Sequence, residues 1–83
     1  MNKYGIEIKH LPTGTEIESD AVFEDKEISK VKELLEMCSG GKVNYLQIMK
    51  NGDYLYIPKE ILQQSTLLLF KETVWIRPSK IYF

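Results

Sequence analysis

The chain has one cysteine, one histidine, one tryptophan and three prolines in 83 residues. Each scarcity excludes something. A lone Cys38 cannot close an internal disulfide, which fits a reducing compartment. Together with His10 it supplies two of the three or four ligands that zinc needs, so no metal site is expected. His10 also stands alone as a base beside no obvious nucleophile, on a strand next to a turn, and is expected to be structural or exposed. The five glycines are scattered at 5, 14, 40, 41 and 52 and form no phosphate-cradling loop. Glu16 and Glu18 share a strand face about 7 Å apart, but no aromatic subsite surrounds them and they read as a solvated face. No enzyme and no cofactor are expected.

Long apolar runs are missing as well. LLLF is the longest, far short of the roughly 20 residues of a membrane span. MNKYGIEIKH holds no signal-peptide core, so a cytoplasmic protein is expected. Basic residues are too few and too dispersed for a double-stranded nucleic-acid footprint. Charge is instead divided along the chain. Residues 1–41 carry five lysines against nine acids, a net of −4, and residues 42–83 carry six bases against three acids, a net of +3.

What is present is enough for one domain spanning 1–83, since 43% of residues are hydrophobic and 28% charged. A domain this small buries only about 60% of its unfolded surface, which limits its stability to a few kcal/mol. Tyr4, Ile6 and Ile8 alternate with polar positions, as in a half-buried strand. Leu11-Pro12-Thr13-Gly14 supplies turn chemistry, and a second alternating run, Thr15 to Phe23, completes an N-terminal hairpin. Asp25 is the expected N-cap of a helix over 25–39, whose stripe is Ile28, Val31, Leu34, Leu35 and Cys38. Gly40 is the expected left-handed C′ residue.

Asn51-Gly52 between two β-rich runs demands a type I′ hairpin, because both central residues must take positive φ. The two-residue turn sets the register: Lys50 faces Asp53, Ile48 faces Leu55, and Leu46 faces Ile57. On the other side Met49 faces Tyr54, Gln47 faces Tyr56, and Tyr45 lies near Pro58. Residues 58–64 read as a short helical turn with proline at its first position. Thr66 to Phe70 reads as a central strand, Lys71-Glu72 as a turn or a bend, and Val74 to Phe83 as a last strand interrupted by Pro78. The expected fold is α+β, in the order ββαββ-turn-ββ, with a barrel-like curl as one way to close it.

One helix shields only one face of such a sheet. The other face would collect Tyr45, Met49, Tyr54, Tyr56, Leu68, Phe70 and Trp75, too apolar for ordinary solvated surface. Three outcomes would satisfy it: the N-terminal hairpin folding over it, a second copy packing against it, or a groove awaiting a ligand. The leading expectation is a non-catalytic, homo-oligomeric binding module that captures a small anionic, nucleotide-like ligand. Tyr45, Tyr54, Tyr56 and Trp75 would stack its ring, and Arg77 and Lys80 would hold its anion. The alternative is an inhibitor or adaptor that grips a protein partner through the aromatic face or through the acidic row Glu16, Glu18, Asp20. The richness in Lys, Ile, Glu and Tyr fits a low-GC bacterium or its phage.

Overall fold

A computed structural model describes residues 2–73. The N-terminal hairpin forms as its alternation requires. Strand β1 (Asn2–His10) pairs antiparallel with β2 (Thr15–Glu18), Ile8 opposite Ile17. Gly14 closes the turn at φ 75°, a left-handed conformation that glycine takes at no steric cost.

The second arm is shorter than the sequence reading, which ran to Phe23. It stops at Glu18 because Ser19, 6% exposed, turns into the core. The Ser19 hydroxyl accepts the Ile6 N–H at 2.8 Å and donates to the Asp20 carbonyl at 3.0 Å, so the buried polar group is satisfied. The chain comes back at Phe23, which exchanges two backbone hydrogen bonds with Tyr4.

A 3-10 turn, Asp25–Glu27, leads into helix α1 (Ile28–Ser39). Glu24, extended at φ −97° and ψ 166°, caps this start instead of Asp25, and its N–H donates to the Glu27 carboxylate at 2.9 Å. At the far end Gly41, not Gly40, takes the left-handed conformation (φ 72°). Lys42 N–H then reaches the Met37 carbonyl at 2.9 Å, and Gly41 N–H the Cys38 carbonyl, the 6→1 and 5→2 pattern of a Schellman stop. Val31, Leu35 and Cys38 face inward. Burial pushes the Cys38 thiol pKa up, which keeps it protonated and unreactive.

Strands β3 (Tyr45–Lys50) and β4 (Asp53–Pro58) form the Asn-Gly hairpin in the register its turn dictates, with Asn51 at φ 53° and Gly52 at 83°. Pro58 is the N-cap of helix α2 (Lys59–Leu62) rather than its first residue, and α2 ends at Leu62, two residues before the expected limit. Strand β5 (Ser65–Thr73) runs beside the whole of β1, from His10↔Ser65 to Asn2↔Thr73. Lys71-Glu72 is therefore neither turn nor bend. Lys71 lies opposite Tyr4, and Glu72 opposite Lys3, because a nine-residue partner keeps the ladder going and sets unlike charges across from each other.

Among the described residues the strands form two antiparallel sheets, β2-β1-β5 and β3-β4, and no barrel closes. Between the sheets lies a core of Ile6, Ile8, Val31, Leu35, Cys38, Leu46, Ile48, Ile57 and Leu62, with Leu67 and Leu69 packed on it. The chain is a small α+β domain, and among the described residues no helix is long and apolar enough to cross a membrane. The strand expected over Val74 to Phe83 lies outside the described residues.

Candidate functional site: a tyrosine face on the hairpin

A two-residue turn divides the β3–β4 side chains cleanly between two faces. Leu46, Ile48 and Ile57 take one face into the core, at 2%, 4% and 3% exposure. Tyr45, Tyr54 and Tyr56 are left on the other, at 53%, 60% and 56%. Tyr45 and Tyr56 meet edge to face, ring centroids 5.3 Å apart and planes at 68°, a favoured geometry for two rings. Met49 is half-buried and Gln47 exposed on the same side. Beside them a shallow groove of about 210 Å³ runs between Tyr54, Gln47 and Met49 and the strand-like segment carrying Val22 and Phe23.

Three of the six expected ligand-binding residues thus stand together. The other three, Trp75, Arg77 and Lys80, lie outside the described residues. Leu68 and Phe70, expected to extend the aromatic face, belong to the other sheet, because β5 pairs with β1 and not with the hairpin. Leu68 stands exposed on that sheet's outer surface opposite Glu7, and Phe70 lies over Gly5. The N-terminal hairpin does not cover the tyrosines.

Asp20 is the residue whose role the sequence reading missed. Strand alternation sets it in an acidic row with Glu16 and Glu18, but it crosses to the other sheet. Its N–H donates to the Met49 carbonyl at 2.8 Å. Its carboxylate accepts the Asn51 N–H at 2.9 Å and the Gly52 N–H at 3.0 Å. These contacts fasten the tip of the tyrosine hairpin to the first sheet. They leave Glu16 and Glu18 as the exposed pair, with Glu7 across from Glu18. Nothing local in the sequence marks the clamp, which spans 31 and 32 residues.

The Gly52 and Asn51 N–H groups hold the Asp20 carboxyl below its ordinary value of 3.8. A depressed carboxyl adds stability above its unfolded pKa, and that stability is lost as pH falls through the folded pKa. Asp20→Asn should therefore melt below the wild type at neutral pH, and the gap should narrow as pH drops below about 3.8. Thermal melts of both proteins across that range check it. A gap independent of pH would mean that the carboxylate charge is not what holds the turn.

His10 is engaged at both ring nitrogens. Nε2 donates to the Gln64 side-chain carbonyl at 3.1 Å and Nδ1 meets the Thr13 hydroxyl at 2.8 Å, so it ties the first turn to the start of β5. Among the described residues no three His, Cys, Asp or Glu side chains gather as metal ligands. No family model matches the chain, and neither a curated protein nor a solved structure matches it.

Proposed function

We propose that the chain is a non-catalytic binding module whose tyrosine face takes the surface of a protein partner. One observation carries this reading: Tyr45, Tyr54 and Tyr56 stand side by side on one hairpin face, each more than half exposed. Leaving three large rings wet is costly, and each returns free energy when a partner covers it. Tyrosine suits this use because it joins a broad apolar body to a polar tip at a small entropic cost. The three rings spread along both strands of the hairpin, and the groove at their edge continues to Val22, which is 41% exposed. Small ligands are held mostly by concave sites that bury most of their surface, whereas the three rings stand more than half exposed, which favours a macromolecular surface.

Capture of a small anionic, nucleotide-like ligand is the second reading. The ring pair of Tyr45 and Tyr56 favours it, and it adds Trp75, Arg77 and Lys80 from the sequence to supply the stack and the cations. A panel of nucleotides in a thermal-shift experiment separates the two. On the protein-partner reading no nucleotide moves the midpoint. The variant carrying Tyr45→Ser, Tyr54→Ser and Tyr56→Ser keeps its circular dichroism but loses the partner that wild type retains. A nucleotide that raises the midpoint of wild type but not of this variant replaces the protein reading with the small-ligand one.

A further inference from the structure

The outer edge of β4 has no partner among the described residues. Lys50 and Asp53 flank the two-residue turn, so they form the first hydrogen-bonded pair of the ladder. Alternation from there points the backbone groups of Leu55 and Ile57 toward β3 and those of Tyr54 and Tyr56 away from it. The opposite edge of the hairpin is already engaged, since the Met49 carbonyl accepts from Asp20. At β4, Asp53 and Pro58 guard only the two ends of the edge, and the stretch between them, Tyr54–Ile57, has no charged residue and no proline.

The same strand carries a second anomaly. Four apolar residues of the hairpin project toward the core, and three are almost fully buried. Leu55 is the exception, at 38% exposure. It opens into a groove of about 290 Å³ bounded by Ile17, Ile57 and Ile61.

We infer that β4 pairs with β4 of a second copy of this chain, antiparallel about a two-fold axis at Leu55. This register sets Tyr54 opposite Tyr56 of the second copy, twice, and so uses all four outward backbone groups. Leu55 meets its own counterpart at the axis, which covers the one wet apolar residue of the inner face. Pro58 occupies the next outward position and lacks an N–H, so the new ladder stops there at both ends. Asp53 begins the strand, and Lys59 follows its far end as the first residue of α2. Antiparallel pairing brings the Asp53 end of one copy to the Lys59 end of the other, whereas parallel pairing would bring like charges together. The symmetric strand complements itself, as an isologous interface requires. The product is a four-stranded sheet, β3-β4-β4-β3, whose outer surface joins both tyrosine faces into one.

What the doubled face would bind rests on the reading above, but the pairing does not. The two are measured separately, by mass and by partner binding. Light scattering on wild type should give twice the 9.7 kDa chain mass. Leu55→Asp and Leu55→Lys each place like charges at the axis, and each should raise the dimer dissociation constant by about tenfold or more, the equivalent of ~1.4 kcal/mol. Both should keep the wild-type circular dichroism, because Leu55 is already partly exposed. An equimolar mixture of the two variants should restore the dimer, since aspartate then faces lysine. A wild type that stays monomeric at several hundred micromolar overturns the inference. So does a dimer that Leu55→Asp leaves intact, or a pair of variants that fails to associate when mixed.

Discussion

Ile8→Ala is expected to lose about 2–5 kcal/mol of stability, the range for truncating a buried isoleucine. A domain this small holds only a few kcal/mol in total. Much of the population would then be unfolded, and the melting midpoint would drop by roughly 10–25 °C. Ile8 earns this position by geometry. It is fully buried in the middle strand of the first sheet, opposite Ile17 on one side and Leu67 on the other, and its side chain belongs to the one buried core of the domain. No neighbour on a paired strand can move in without breaking a ladder, so the cavity stays open.

Leu68→Ala is the matched control. Leu68 is one position away from Leu67 in β5, yet it points outward and is 55% exposed. Its truncation should change stability by no more than about 0.5 kcal/mol. Urea unfolding of the two variants measures both values. Equal losses would mean that the two faces of the sheet are not divided between core and solvent as described.

Gly5→Ala is expected to cost about 1–3 kcal/mol, although it adds a single methyl group. Gly5 lies opposite Phe70 in the β1–β5 ladder, and the phenyl ring lies across the space a side chain would fill. A Cβ there would stand 2.5 Å from Phe70 Cζ and 2.7 Å from Cε2, well inside van der Waals contact. The Asp20 carbonyl, 3.1 Å away, closes the remaining direction. The ring would have to leave its site, and the strain would reach the residue that fastens the tyrosine hairpin. Phe70→Leu should relieve the clash. In a double-mutant cycle the pair should cost less than the sum of the single changes, by about 0.5 kcal/mol or more. Additive losses would show that the ring does not obstruct the new methyl group.

Local features of this chain were legible because local physics sets them. The Asn51-Gly52 turn admits one geometry, and every cross-strand pair from Lys50–Asp53 to Tyr45–Pro58 follows from it by counting. The stripe Val31, Leu35, Cys38 has a period that suits only a helix. Errors at element ends came from neighbours competing for one role: Glu24 beside Asp25 as cap, and Gly41 beside Gly40 as the left-handed stop. The aromatic face was half legible. Alternation put Tyr45, Tyr54 and Tyr56 on one side, but it could not tell that Leu68 and Phe70 would sit in another sheet.

From the amino-acid order alone come the α+β class, the hairpin register and the sorting of each element into an apolar and a polar side, because these depend on residues a few positions apart. Only the folded chain decided which strand edges meet, that β1 rather than β4 takes β5, and that Asp20 leaves its acidic neighbours to hold a turn more than thirty residues away. Backbone hydrogen-bonding groups are nearly the same at every residue, so an edge carries no local label for its partner. The choice is made by which arrangement buries Ile6, Ile8, Leu46 and Leu62 together, and it leaves three tyrosines facing outward.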